Sequence, residues 1–198
     1  MQLSVHVIPI RSRSTMWENW KKGTRFFRSA RIAFEREKNL WDNIELKEPE
    51  SSQVHDEEGG SSYSVSVSEH VEVMRDLDLL YTAVLIYSYS IVESEAADQL
   101  GEEIADLGGI EDWGERLLRQ NDMDWGDVWG GREGIVEVAV VRNIFAHGKN
   151  VVDERSYNRL QNVGCDEWDE GDVIDLDFEM IRVYRNCLRS LLRLVDDD

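Results

Sequence analysis

Apolar side chains recur at steps of three and four residues in three parts of the chain, and this is the period of an amphipathic α-helix. Residues 16–42 predict one such helix, which would break at Gly23 if it breaks at all. A second long helix is expected from Glu69, with Ser68 as its cap, and a third after Asp177. The second and third seams consist of Val73, Leu77, Leu80, Val84, Tyr87 and Ile91, and of Ile181, Tyr184, Leu188, Leu191 and Val195.

Residues 135–148 read IVEVAVVRNIFAHG, an apolar run that also contains Arg142, Asn143 and His147. A helix that is apolar around most of its circumference belongs in a core or an interface, and an arginine buried there needs an anion or a buried partner. Positions five apart lie about 140° around the helix and about 7.5 Å along it, so Arg142 and His147 do not pair on one straight helix. They would converge on one substrate if the last turn unwinds toward Gly148, or if two copies meet across a two-fold axis.

The remaining segments complete an outline of the fold. Residues 45–68 are rich in serine, glycine and acids and predict a flexible linker between a basic extension at 1–44 and a body at 69–198. Short helices are expected at 112–120 and 154–161, and an extended piece at 173–176. Three or four long helices with short connections predict an all-α fold, an antiparallel helical bundle with a basic helical N-terminal extension.

The charge balance is strongly acidic, with 22 Lys and Arg against 41 Asp and Glu and a net charge of −19. A lysine-poor, acidic surface is typical of a protein adapted to high salt. It disfavours broad non-specific binding of nucleic acid but leaves room for a small basic site. Residues 1–47 are the exception, with ten basic and five acidic side chains. Packing on the acidic body, with the arginines facing acidic neighbours, is the favoured interpretation of this basic helix. Contact with RNA comes second, and a membrane surface is the third option.

Several classes of site and location are not expected. Cys165 and Cys187 form no zinc-binding pattern and are interpreted as reduced thiols of a cytoplasmic protein. No apolar stretch is long enough for a membrane span, and the N-terminus lacks the features of a secretion signal. The acidic loop at 122–127 lacks the terminal glutamate of a calcium-binding loop. Trp125 and Trp129 are expected to fill the core, and neither a metal nor a cofactor is expected.

The six residues RNIFAH at 142–147 resemble the signature of HEPN domains, which is Arg, a polar residue, three variable residues and His. The resemblance covers about residues 69–195, of which this hexapeptide is the specific part. It implies an all-α homodimer and a metal-independent endoribonuclease acting as a toxin, in defence or in RNA processing. Members paired with a nucleotidyltransferase antitoxin often carry Tyr two residues after the His. Lys149 stands there instead, so control by adenylylation of that tyrosine is not expected.

The resemblance also assigns roles to residues. His147 would move the proton of the ribose 2′-hydroxyl, and Arg142 would stabilise the charge on the phosphate. Asn143 would orient Arg142 or the phosphate by hydrogen bonding. Glu93 is either the charge partner of Arg142 or an exposed acid.

Three cations after the motif would line a path for the nucleotide or remain solvated helix residues; they are Lys149, Arg155 and Arg159. The implied partners are RNA, a second copy, and an antitoxin or other neighbouring-gene protein. The alternatives are a non-catalytic helical dimer that binds a nucleotide, a small ligand or a protein, and a purely structural arginine at 142.

Overall fold

The computed structural model describes residues 13–43, 52–58 and 61–194. These residues form seven α-helices, two short 3-10 turns and one two-stranded hairpin, which confirms the all-α class. The helices are α1 (Arg13–Asp42), α2 (Val67–Arg75), α3 (Asp78–Leu100), α4 (Ile110–Gln120), α5 (Gly131–Ala146), α6 (Glu154–Gln161) and α7 (Phe178–Leu194). The strands are β1 (Gln53–Glu58) and β2 (Ser61–Ser66). Val195, expected in the last seam, lies outside the described residues.

Helix α5 carries the RNIFAH motif and lies at the centre of the fold, in contact with α3, α4, α6 and α7. Its buried side chains are Ile135, Val136, Val138, Ala139, Val140, Val141 and Ile144. They follow one another too closely to lie on a single stripe, so the helix needs neighbours around most of its circumference. One chain supplies those neighbours. A second copy is therefore not needed to cover the apolar run, and the expected dimer stays a prediction.

Helix α1 packs against the body as one unbroken helix through Gly23, as predicted. The expectation that its arginines face acidic neighbours is wrong for the described residues, since none of them forms an ion pair with a described carboxylate and Arg31 lies over the Phe178 ring instead. Its buried side chains Met16, Trp20 and Phe27 belong to the same apolar core as α3 and α5. Phe27 stacks on Phe178 at the start of α7 with ring centroids 5.8 Å apart. Burial of these large side chains fixes α1 on the body, because each fully buried one contributes on the order of 2 kcal/mol.

A buried cation also connects α1 to α3 and α7. Arg185 is only 8% exposed. Its Nη2 donates to the Thr24 hydroxyl at 2.7 Å, its Nη1 donates to the Ser88 hydroxyl, and its guanidinium lies 4.3 Å from the centre of the Trp20 ring. Burial, with a smaller contribution from Arg189, lowers the pKa of Arg185 to about 10. The guanidinium of Arg185 is thus stabilised by two hydroxyl groups and an aromatic ring rather than by a carboxylate.

The prediction of a flexible linker at 45–68 is wrong for the part that the structure describes. Strands β1 and β2 pair antiparallel from Gln53 opposite Ser66 to Glu58 opposite Ser61. The reason is visible in the sequence SYSVSV, which alternates serine with aromatic or β-branched residues. That period of two favours a strand, whereas a helix would need a period of 3.6.

The long helix expected from Glu69 is also wrong in two respects. It begins at Val67, with Ser66 rather than Ser68 as its cap, and the side chain and backbone of Glu69 complete a capping box with Ser66. The helix then ends at Arg75, because Asp76 is extended. The Asp76 carboxylate accepts a hydrogen bond from the amide of Asp78 at the start of α3. The buried face of α3 is also rotated from the predicted seam toward Tyr81, Leu85 and Ser88. Val73 and Tyr87 of the predicted seam are 55% and 44% exposed.

The other local predictions are confirmed, with one exception. Helices α4 and α6 form where expected, and the carboxylate of Asp177 accepts from the amide of Met180 at the start of α7. Trp125 packs partly against the core, whereas Trp129 is 50% exposed, so the expectation that both fill the core is wrong for Trp129. Within the described part of the chain, every helix is too short or too polar to cross a membrane.

Candidate functional site

The motif helix ends in a turn that fixes the position of His147. Gly148 has a φ of +68°, a left-handed conformation that side chains with a Cβ rarely adopt. Its amide donates to the carbonyl of Phe145 at 3.0 Å, and the amide of Lys149 donates to that of Ile144 at 3.1 Å. These two bonds form a Schellman motif, which closes the helix without unwinding it. His147 is therefore the exposed residue that directly follows the helix at its C-cap, and from there the chain turns toward α6.

His147 lines a pocket of about 220 Å³ between the end of α5 and the start of α6. The lining residues are Val140, Asn143, Ile144, His147, Lys149, Asp153, Arg155, Ser156 and Arg159. Three motif residues, Asn143, Ile144 and His147, therefore line one pocket together with the three cations that follow the motif. The pocket combines a titratable imidazole with ammonium and guanidinium groups, a composition that suits a phosphate ester.

Two cations of the pocket, Lys149 and Arg155, lie close to the N-terminus of α6. Asp153 caps this helix by accepting from the amide of Ser156 at 3.0 Å. That hydrogen bond, with the side chain of Ser156 and with Lys149, lowers the pKa of Asp153. The ammonium of Lys149 lies 3.5 Å from the Asp153 carboxylate, while Arg155 is exposed and forms no ion pair with a described carboxylate. Arg155 is thus free to bind an anion.

Arg159 is held by a bidentate ion pair with Glu111 of α4. Its Nε and Nη2 donate to the two carboxylate oxygens at 2.5 and 2.6 Å. Burial raises the pKa of Glu111, but hydrogen bonds from Arg159 and from its own backbone outweigh burial, and the net pKa lies below the ordinary value. Arg159 therefore contributes a fixed positive charge to the pocket wall. The N–H groups of its Nη1 atom do not take part in the pair with Glu111 and remain as donors.

Arg142 lies on the other side of α5, against α3. Its guanidinium is 4.7 Å from the centre of the Tyr89 ring and its Nη2 is 3.8 Å from the Glu93 carboxylate. The predicted proximity of Glu93 is thus confirmed. Burial raises the pKa of Glu93, although the positive charge of Arg142 opposes this effect. The pKa of Tyr89 is also raised, mainly by burial and to a smaller extent by the negative charge of Glu93. The Nε of Arg142 is buried without a hydrogen-bond partner in the described structure.

Asn143 connects the two sides. Nη1 of Arg142 donates to Oδ1 of Asn143 at 2.8 Å, and Asn143 itself lines the His147 pocket. Asn143 therefore contacts Arg142 through its oxygen and also forms part of the pocket wall. Arg142 does not line that pocket, as the 140° offset predicted. Within one chain it acts on the pocket through Asn143.

Three residues that contact or line the candidate site were not predicted from the sequence: Tyr89, Glu111 and Ser156. Tyr89 carries a usable signal, since it precedes Glu93 by four residues and so shares a face of α3 with it. Glu111 has no such signal, because 48 residues separate it from Arg159.

A larger cavity of about 770 Å³ between α5 and α7 has the opposite electrical character. Its walls contain several carboxylates, including Glu133 and Glu137, and no lysine, arginine or histidine. The Glu137 carboxylate accepts from the Trp168 indole at 3.0 Å and from the Tyr184 hydroxyl at 2.8 Å. A phosphate would be repelled there, so the basic pocket at His147 is the better candidate for binding an anion.

Among the described residues, no group of three His, Cys, Asp or Glu side chains is arranged to hold a metal ion. Comparison with protein-family models, with curated proteins and with solved structures found no significant match to this chain. The assignment of a function therefore rests on the residues of the pocket and their geometry.

Proposed function

We propose that this chain is an endoribonuclease of HEPN type, a helical bundle that acts as a homodimer and needs no metal for cleavage. The observation that carries the proposal is the shared pocket of His147, Asn143, Lys149 and Arg155 at the end of the motif helix. A histidine provides acid–base catalysis near neutral pH, and the cations and the amide provide donors for a phosphate.

The proposed reaction is transesterification followed by release of the 5′ product. His147 removes the proton of the ribose 2′-hydroxyl, the 2′ oxygen bonds to phosphorus, and the bond from phosphorus to the 5′ oxygen breaks. The leaving oxygen takes a proton from water, so the products carry a 2′,3′-cyclic phosphate and a 5′-hydroxyl. Donors placed before the reaction stabilise the extra negative charge on the phosphate most strongly in the transition state.

Arg142 has two ways to contribute to this chemistry. In one chain it holds Asn143 in position, with its guanidinium kept in place by Tyr89 and Glu93. In a dimer, the Arg142 of one copy would contact the phosphate bound at the His147 of the other. The second arrangement makes a composite site and accounts for the large angle between the two residues on one helix.

The test of the activity is cleavage of single-stranded RNA in excess EDTA, with analysis of the product ends. His147→Ala should lower the rate by about 10²-fold or more, the usual contribution of a general acid–base. His55→Ala, an exposed histidine on the hairpin, is the matched control and should leave the rate unchanged. Full activity of His147→Ala would refute the mechanism. Wild-type protein that binds RNA tightly and never cleaves it would be a binding module instead.

Mixing two inactive variants tests the composite site. Arg142→Ala should lose about 10²-fold in rate, the size of one lost transition-state contact. If each site combines Arg142 of one copy with His147 of the other, exchange of subunits between Arg142→Ala and His147→Ala dimers restores about a quarter of the activity. A site contained in one chain gives no recovery. A strict monomer at micromolar concentration would also exclude the composite arrangement.

A further inference from the structure

A groove of about 370 Å³ lies between α1 and α3, away from the His147 pocket. It is lined by Lys22, Gly23, Phe26, Ala83, Val84 and Tyr87, and we call it the α1–α3 groove. The Phe26 and Tyr87 side chains are 62% and 44% exposed. The periodic pattern of α3 would place Tyr87 in the core, yet its ring forms a wall of an open groove. Aromatic side chains left exposed on one concave surface indicate that something binds there.

Gly23 gives the groove its depth. A Cβ atom at this position would come within 2.8 Å of Cε1 of Tyr87, so the ring lies directly against the backbone of α1. A glycine in the interior of a helix lowers the stability of the helix. Here the glycine lets the Tyr87 ring lie in this position, and any larger residue would require the ring to shift.

The exposed side of α1 next to the groove is positively charged. Lys21, Lys22, Arg25 and Arg28 are all exposed, and we call them the basic face. None of them forms an ion pair with a described carboxylate, whereas seven cations elsewhere in the chain do. Like charges three and four residues apart destabilise a helix. In a chain with a net charge of −19, four neighbouring cations without acidic partners form a distinct surface.

We propose that the α1–α3 groove and the basic face together bind single-stranded RNA, with a nucleobase in the groove against Phe26 and Tyr87 and phosphates on the basic face. Stacking of bases on aromatic side chains beside a cationic track is the usual mode of single-strand binding. Paired bases do not reach such a groove, so the ligand is single-stranded. The proposal rests on the proposed function, in which RNA is the substrate, and it adds a substrate-binding surface that shares no residue with the catalytic pocket.

The charge distribution favours RNA over two other occupants. A second copy docked on the same surface about a two-fold axis would bring two basic faces together, and like charges repel. A membrane surface would attract the cations, but Lys22, Arg25 and Arg36 interrupt the exposed apolar side chains of α1, which include Phe26, Ile32 and Leu40. This helix therefore has no continuous apolar face to lie in a bilayer interface. A polyanion with flat aromatic bases satisfies both the charge and the shape.

The test measures binding of a fluorescein-labelled twelve-nucleotide oligouridylate to the full chain by fluorescence anisotropy. Every variant carries His147→Ala, so that the oligonucleotide is not cleaved. Phe26→Ala should raise the dissociation constant about tenfold, as expected for one lost base stack, with the salt dependence unchanged. Tyr87→Ala should weaken binding similarly, while Tyr87→Phe retains the ring and should bind as the parent does.

Charge is tested separately from stacking. Neutralising Lys21, Arg25 and Arg28 to Gln should reduce the slope of log affinity against log salt concentration by about 2, since each phosphate contact on a single strand contributes about 0.7.

The matched control neutralises Arg182, Arg189 and Arg193, three exposed arginines of α7, to Gln. It removes the same charge from another surface and should leave most of the slope in place. Circular dichroism establishes that each variant is folded.

The possible failures are distinct. If Phe26→Ala and the neutralised basic face bind RNA as the parent does, the proposal is overturned, whether or not the wild-type protein cleaves RNA. Intact binding with no cleavage by the wild type counts against the proposed function alone. Binding to phosphatidylglycerol vesicles without binding to RNA overturns the proposal in favour of a membrane. A dimer that Phe26→Ala dissociates, with RNA affinity unchanged, assigns the groove to a second copy.

Discussion

Substitution of Glu111 by Gln tests the energetics of the pocket wall. The change keeps the size of the side chain but removes the charge that faces Arg159, and it replaces one of two accepting oxygens by an NH₂ group. Arg159 then lies partly buried next to a neutral amide. We expect a loss of stability of the folded chain, since an arginine without its partner is costly to keep out of water.

The size of the loss follows from the geometry. Both hydrogen bonds are short, 2.5 and 2.6 Å, and the Arg159 and Glu111 side chains are 27% and 19% exposed. Breaking a fully buried pair costs about 3–5 kcal/mol, and an exposed pair contributes about 0–1 kcal/mol. The partial burial places this pair between those limits. We expect the free energy of unfolding to fall by about 2 kcal/mol, which lowers the urea midpoint by about 1 M.

The pH dependence follows from the lowered pKa of Glu111. A carboxyl whose pKa is lower in the folded chain stabilises that state above its ordinary value of 4.5, and this contribution is lost as the pH falls through the folded pKa. Urea unfolding should therefore separate Glu111→Gln from the wild type fully at pH 7. The separation should shrink as the pH is taken below about 4.

An exposed ion pair that uses the same two arginine nitrogens is the control. Nε and Nη2 of Arg182 both contact one carboxylate oxygen of Glu179, and these side chains are 59% and 62% exposed. Glu179→Gln should lower the free energy of unfolding by less than about 0.5 kcal/mol. Equal effects of the two substitutions, or a loss for Glu111→Gln that does not diminish in acid, would refute this reasoning.

Three further outcomes are expected. Gly148→Ala should lower the free energy of unfolding by about 1 kcal/mol, because alanine is strained at positive φ, and cleavage of RNA should slow as His147 loses its fixed position; an unchanged urea midpoint would contradict this. Asp177→Ala should lower it by about 1 kcal/mol through loss of the α7 cap, whereas Asp177→Asn should retain most of the stability. Burial raises the pKa of Cys187 to about 12, so this thiol should resist alkylation by iodoacetamide at pH 8 until urea unfolds the chain, which mass spectrometry can follow.

The features that the sequence predicted correctly are local ones. Helix α6 at Glu154–Gln161 and the capping of α7 by Asp177 follow from signals within a few residues. The angular separation of Arg142 and His147 follows from helix geometry alone. The capping box at Ser66 and Glu69 has a local signature too, serine followed three residues later by glutamate, although the predicted start of the helix lies two residues beyond the observed one.

The features that the sequence did not predict depend on how distant segments meet. The apolar residues before and after Asp76 keep the same helical phase, so the sequence does not show that the chain is extended at Asp76. It also does not show that Tyr87 lies in an open groove. The pairing of Glu111 with Arg159 depends on how α4 and α6 meet around α5, and no periodicity encodes that. Similarly, the covering of α5 by its own chain could not be distinguished from covering by a second copy.

The central position of α5 has a consequence for hydrogen exchange. Amide protons in an element enclosed on most sides exchange only when the whole domain opens, whereas those of peripheral elements exchange through smaller openings. The amides of Val138 to Val141 should therefore be among the slowest in the chain. His147 ends this element, so the frame that orients the imidazole should persist for as long as the domain stays folded. Partial openings that release α1 or the hairpin would leave the frame in place.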